Sequence, residues 1–261
     1  MQGHEPLDVL PLWAVFGTTL VLILLAVEGG FLFGKWRQRR AAHERETPVG
    51  EIVAAVLGLL AFLLTFTFGM AASRFDTRRE LVLEEANAIG TTYLRAALVP
   101  EPQRTEIRTL LRDYVDLRLE AVQPAMAVQA LARSDELQGR LWAQAVIVGE
   151  KNPTPITGLF IQALNHVFDL HAKRVTIVRR NRIPVTIWGA LYFTAILAMA
   201  GVGYYAGLTS TTRTIAIVAL VVTFSGILWM IADLDRPQEE LFKVSQQAMI
   251  DLRKSMTPSR P

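Results

Sequence analysis

Four long runs of apolar residues dominate the alternation of hydrophobic and polar positions along the chain. A helix needs about 20 apolar residues to cross the hydrocarbon core of a bilayer, and each run reaches that length. The runs are Leu12 to Phe33, Ile52 to Ala72, Ile183 to Leu208 and Thr214 to Ala232. No basic residue precedes the first run, so we expect it to remain as a span rather than to be cleaved as a signal peptide. The pattern predicts an all-α, multi-pass membrane protein with four transmembrane helices.

The residues between the second and third runs are charged, and their pattern is helical. Apolar residues recur there at steps of three and four, as in Ile107, Leu110 and Tyr114. We predict helices over Arg78 to Leu98, Gln103 to Gln123, Ser134 to Gly149 with Ser134 as N-cap, and Leu159 to Arg182, with a loop over Lys151 to Gly158. The predicted parts of the chain are an N-terminal tail with two spans (1–72), a helical extramembrane domain (73–182), a second pair of spans (183–232) and a C-terminal tail (233–261).

Composition narrows the chemistry. The 261 residues are 51% hydrophobic, carry a net charge of +3 and include no cysteine, which excludes disulfides, thiolate metal sites and cysteine nucleophiles. Basic residues flank the apolar runs, so we expect lipid headgroups as their partner and no nucleic acid. The four histidines lack the spacing of a zinc site, and neither a phosphate loop nor a nucleophile elbow is present. We therefore expect no metal, no cofactor and no enzymatic activity.

The charges leave the orientation in the membrane open. The short loop from Gly34 to Gly50 carries five basic residues, and a short basic loop normally stays in the cytoplasm. That rule would place the central helical domain outside the cell. The flanks of the central domain and the C-terminal tail are more basic in total, which favours a cytoplasmic central domain. The two arguments are nearly balanced.

The second apolar run contains Phe62 and Phe66, which lie on one face of a helix because they are four residues apart. Phenylalanine is common in spans, so packing or lipid contact is the simpler explanation. The alternative is a hydrophobic gate, in which several subunits place rings of phenylalanine in a narrow neck that dewets. Gly58 and Gly69 fall close to the same stripe and permit close helix approach.

The same run and the residues after it resemble the pore helix of bestrophin channels. Phe62 and Phe66 are followed by Arg74 and Phe75, which is similar to the neck phenylalanines and the Arg–aromatic pair of that family. Residues 74–79, 85–90 and 233–237 resemble the bestrophin-like domain of bacterial membrane proteins. The resemblance extends from about Val49 to Val244.

This resemblance implies a homopentameric ion channel of the bacterial inner membrane with a cytoplasmic helical domain. It implies a neck lined by Phe62, Phe66, Gly58 and Gly69, with Arg74 and Phe75 at the neck exit. The partners would be the bilayer, further copies of the chain and inorganic ions. The acidic residues of Asp233 to Glu240 are sparse and interrupted by Arg236, so we do not expect calcium gating. The excess of basic residues near the membrane edge favours anions weakly.

Two other functions stay open. Glu28 lies inside the first apolar run, either on an ion or proton path or near the span end, where it reaches water or Lys35. The chain could thus be a secondary transporter that uses Glu28, or a non-conducting scaffold or sensor whose helical domain binds a partner. We further expect Glu84 and Glu85 to form charge pairs on a solvated or inter-subunit helix.

Overall fold

A computed structural model describes residues 10–40, 48–122, 126–180, 182–209, 215–236 and 243–257. Over these ranges the chain is all-helical, which confirms the predicted fold class. The helices are α1 (Leu12–Arg40), α2 (Val49–Ala96), α3 (Gln103–Glu120), α4 (Ala127–Lys151), α5 (Pro155–Arg180), α6 (Val185–Leu208), α7 (Ile215–Asp235) and α8 (Gln247–Ser255). Four of them, α1, α2, α6 and α7, are long and apolar enough to cross a membrane, as the sequence predicts.

The second span and the charged helix after it form one helix of 48 residues. Residues 73–77, between the predicted span and the predicted helix, contain neither proline nor glycine, so nothing interrupts the backbone hydrogen bonds. At 1.5 Å per residue, α2 is about 70 Å long. It is therefore more than twice as long as the hydrocarbon core of a bilayer, which is about 30 Å thick.

Two predicted helix starts are wrong. Ser134 does not cap α4, which begins seven residues earlier at Ala127; its buried hydroxyl donates instead to the carbonyl of Ala130 at 2.8 Å. Mid-helix serines are commonly satisfied in this way, so a serine alone is a weak signal of a start. Helix α5 begins at Pro155 within the predicted loop, because proline is well suited to the first turn of a helix.

The structure separates into two compact units. The first comprises residues up to Phe75 together with Arg182 to Phe242, and so contains α1, the first part of α2, α6 and α7. Its apolar core includes Ile23, Leu60 and Met199.

Glycines set the distance between α1 and α6 in this unit. Gly30 and Gly34 on α1 approach the backbone of α6, and Gly203 and Gly207 on α6 approach the backbone of α1. A Cβ atom at any of the four would overlap a backbone atom of the other helix. Each pair has the small-xxx-small spacing that allows membrane helices to pack closely.

The second unit comprises Asp76 to Asn181 together with residues from Lys243 onward. Its core includes Tyr114, Phe160 and Leu164. Helix α8, in the predicted C-terminal tail, belongs to this unit. Arg253 of α8 makes a bidentate ion pair with Asp116 of α3. The hydroxyl of Tyr93 on α2 donates to the carbonyl of Met256, just after α8, at 3.0 Å.

We predict that Gly203→Ala destabilises the first unit, because the added methyl group overlaps the backbone at Val27. Overpacking of this kind costs roughly 1–3 kcal/mol. The matched control is Gly189→Ala on the same helix, where a Cβ atom meets nothing within 4 Å. Thermal unfolding of the two purified variants in detergent measures the difference, and equal midpoints would contradict the proposed close packing.

Candidate pore helix

Within the first unit, α2 has a buried face and an exposed face. Leu60, Leu64, Thr67 and Ala71 are buried and follow each other at steps of four and three. Opposite to them, Phe62 is 67% exposed and Phe66 is 59% exposed. The predicted neck phenylalanines thus contact few residues of their own chain.

The two glycines lie on the same exposed face. At roughly 100° per residue, Gly58 and Gly69 point within about 40° of Phe62. A Cβ atom at either glycine would meet nothing within 4 Å, so neither glycine is required by packing inside the chain. The four predicted neck residues therefore share a surface that the described part of the chain leaves uncovered.

The exposed faces of α1 and α2 differ in side-chain size. On α1 the exposed large side chains include Leu24, Leu25, Leu32 and Trp36, which suit contact with lipid tails. On α2 most of the other exposed positions between residues 54 and 73 carry alanine, glycine, threonine or serine. Small residues favour close approach of another helix over contact with lipid.

Arg74 and Phe75 do not share the exposed face of α2. Arg74 is rotated by about 120° from Phe62 around the helix axis. Its guanidinium lies 3.3 Å from Oδ1 of Asp235 at the end of α7. The ring of Phe75 packs partly buried against the apolar core of the same unit. Their place at a neck exit stays a prediction from the resemblance.

Asp235 is 2% exposed, and its carboxylate connects three segments of the first unit. Oδ1 accepts from Arg74 of α2 and from the backbone N–H of Ile183 at 2.9 Å, and Oδ2 accepts from Nε of Arg182 at 3.1 Å. One buried carboxylate therefore accepts from two guanidinium groups and one backbone amide. Hydrogen bonds to a charged carboxylate are charge-assisted and strong.

This clamp was not predicted from the sequence, where Asp235 was part of a segment resembling the bestrophin-like domain and of a sparse acidic cluster. The available signal was a carboxylate at the end of one span, with an arginine just outside each of two others. Of the other acidic residues of that motif, Asp233 is buried near the end of α7, and Glu239 and Glu240 lie outside the described residues.

The family comparison agrees with this architecture. A family model of the Bestrophin-like domain matches residues 20–249, which include α2, α6 and α7 in full. The chain belongs to the Bestrophin-like domain family. Comparisons with curated proteins and with solved structures return no match. The resemblance suspected from the sequence is thus confirmed, and the chain is a membrane protein of this family.

The structure also shows where the other residues predicted from the sequence of this bestrophin-like chain lie, without assigning them a role. Glu28 lies near the middle of α1 and is half-buried, beside Gly30 of the α1–α6 contact. Glu84 and Glu85 both form charge pairs as expected, Glu84 with Lys173 and Glu85 with two arginines. The expected solvated or inter-subunit location is wrong for Glu85, which is fully buried in the second unit. Among the described residues, no three His, Asp or Glu side chains come together as a metal-binding group.

We predict that Asp235→Asn destabilises the first unit, since it leaves Arg74 and Arg182 without their carboxylate. Breaking a buried ion pair from one side costs about 3–5 kcal/mol. The control is Asp251→Asn on α8, whose side chain is 60% exposed, pairs with Lys254 at 3.7 Å and accepts from Gln247 at 2.8 Å. The asparagine oxygen can still accept from Gln247, and losing the exposed ion pair costs about 0.5 kcal/mol. A free energy of unfolding that falls equally in both variants would show that the clamp carries no special weight.

Proposed function

We propose that the chain forms a homo-oligomeric ion channel, most simply a pentamer, in the bacterial inner membrane. Helix α2 lines the axis, Phe62 and Phe66 form a hydrophobic neck, and ions pass by passive diffusion without catalysis. The second unit lies in the cytoplasm, as the total charge count favours. The observation that carries the proposal is the exposed face of α2, where Phe62 and Phe66 stand among mostly small residues, in a chain of the Bestrophin-like domain family.

Physical arguments link this face to permeation. Several copies of α2 can approach one axis because Gly58, Gly69 and the neighbouring small residues leave room. The phenylalanine rings then narrow the lumen to an apolar constriction. Such a constriction dewets while it is narrow and fills with water when it widens. Close helix approach and a dry constriction are the two properties that a hydrophobic gate requires.

The charges supply two opposing influences on ion preference. The excess of basic residues near the membrane edge favours anions weakly. The charged residues of α2 closest to the direction of Phe62 are acidic, since Glu51, Asp76 and Glu80 are all exposed and point within about 40° of it. Reversal potentials recorded in a salt gradient distinguish a preference for anions from a preference for cations.

The alternatives rest on fewer observations. A lipid-facing α2 does not require small residues on the exposed face. A transporter that uses Glu28 requires flux to depend on a proton gradient and to vanish in Glu28→Gln. A scaffold or sensor requires that neither the wild type nor a neck variant conducts.

We predict that Phe62→Ala with Phe66→Ala raises ion flux through reconstituted liposomes, because a wider and less apolar neck wets more easily. A barrier lower by about 1.4 kcal/mol corresponds to about a tenfold rate. The control is Phe193→Ala on α6, which removes a ring that is 64% exposed but lies outside α2. Silence of both the wild type and the neck variant would favour the scaffold.

Because the chain contains no cysteine, a single introduced thiol reports its own surroundings. We predict that Phe66→Cys is cross-linked between subunits by a short bifunctional thiol reagent, and that Phe193→Cys is not. Images of the purified particle down its symmetry axis should show α2 innermost. A monomer, or a dimer with α2 towards lipid, would rule out the pore.

A further inference from the structure

A carboxylate lies in the interior of the second unit between two guanidinium groups. Glu85 of α2 is 0% exposed. Its Oε1 is 3.1 Å from Nε of Arg118 on α3, and its Oε2 is 2.6 Å from Arg174 on α5. Buried charges must be paired to be tolerated, and here two positive charges face one negative charge. A further positive charge at this point would therefore be poorly tolerated.

Two more side chains connect this site to the edge of the unit. The hydroxyl of Tyr114, on α3, lies 3.3 Å from Oε1 of Glu85 and 2.9 Å from Nδ1 of His171 on α5. On the other side of the ring, Nε2 of His171 lies 3.7 Å from Oδ1 of Asp135 on α4, whose side chain is 70% exposed. Gln138 of α4 also donates to the Tyr114 hydroxyl at 3.4 Å. A line of polar groups thus runs from the buried Glu85 to the exposed Asp135.

The Tyr114 hydroxyl has one proton and two acceptors within reach. When His171 is neutral with its proton on Nε2, Nδ1 accepts from Tyr114 and the Nε2–H group faces Asp135. When His171 is protonated, Nδ1–H must donate to Tyr114, and the hydroxyl proton turns to Glu85. Burial raises the pKa of Tyr114, so the hydroxyl keeps its proton in both states. A proton gained by His171 therefore reverses the hydrogen bond between His171 and Tyr114. The Tyr114 hydroxyl then donates to Glu85 instead of to His171.

The charges around His171 oppose protonation. Burial lowers the pKa of His171 below its ordinary value of 6.5, and the charge of Arg118 lowers it further. Glu85 and Asp135 act in the opposite direction, and Arg174 in the same direction as Arg118. Because the pKa of His171 is lower in the folded than in the unfolded chain, the folded state favours the neutral imidazole. The resulting stabilisation of the fold is fully present above the unfolded pKa and is lost as the pH falls through the folded pKa.

We propose that His171, Tyr114 and Glu85 form a proton-responsive switch that loosens the packing of α5 against α2, α3 and α4 in acid. Protonation places a third positive charge beside Arg118 and Arg174, and the Tyr114 hydroxyl turns from α5 to α2. The switch is a property of the second unit and does not depend on whether the oligomer conducts ions.

The test is thermal unfolding of the purified full-length protein in detergent between about pH 7.5 and about pH 5.5, the range in which histidine titrates. We expect the wild-type midpoint to fall in acid and His171→Gln to lose most of that fall. The matched control is His166→Gln, which replaces an exposed histidine of the same helix and should keep the wild-type fall. An equal fall in wild type and His171→Gln would overturn the proposal, as would an equal loss in both variants.

A second measurement does not require a substitution at position 171. Nitrogen-15 NMR of histidine-labelled protein distinguishes an imidazole with its proton on Nε2 from one with its proton on Nδ1. We expect the resonances of His171 to show a proton on Nε2 at neutral pH and a pKa below the ordinary value of 6.5. Tyr114→Phe should move the Nδ1 resonance of this histidine, because its hydrogen bond is removed. A buried histidine protonated on Nδ1 at neutral pH, or one that ignores Tyr114→Phe, would overturn the switch.

Discussion

The buried face of α2 is the interaction on which the rest of the structure depends. The helix contributes one side to the core of each unit, with Leu60, Leu64 and Ala71 in the first and Ile89 and Tyr93 in the second. Because a helix that packs along one side leaves the other side uncovered, the same arrangement creates the exposed face of Phe62 and Phe66. Packing inside the chain and the candidate pore surface are thus two sides of one helix.

The two units use the same electrostatic arrangement for different purposes. Each contains a buried carboxylate between two guanidinium groups, Asp235 in the first and Glu85 in the second. Around Asp235 the additional donor is the backbone amide of Ile183. Around Glu85 the polar chain continues through Tyr114 to His171, which can gain a proton. The proposed response to pH therefore belongs to the second arrangement.

The function rests on the family and on one surface. Membership of the Bestrophin-like domain family accounts for the spans and for the helical character of the chain. It does not by itself distinguish a pore from a scaffold. The small exposed residues of α2 support the proposed pore, because they leave room for the close approach of a second copy of the helix.

Four candidate spans and an all-helical fold could be predicted from the sequence, because apolar length and helical periodicity are local properties that need no knowledge of contacts. The family was suspected from the resemblance of short motifs to bestrophin channels. The sequence also located Phe62 and Phe66 on one helical face. It could not determine whether α2 was interrupted or where α4 began, since Ser134 is compatible with either a cap or a helix interior.

Only the tertiary structure decided what distant residues do together. The role of Gly30 and Gly203 follows from their contacts, because each packs against the backbone of the other's helix. Glu85 was expected at a solvated or inter-subunit surface, and Asp235 in a weak calcium motif. Their burial between arginines became visible only when residues some 30 to 160 positions apart met. The physical reason is that a charge is surface or core according to its three-dimensional neighbours, which periodicity along one helix does not specify.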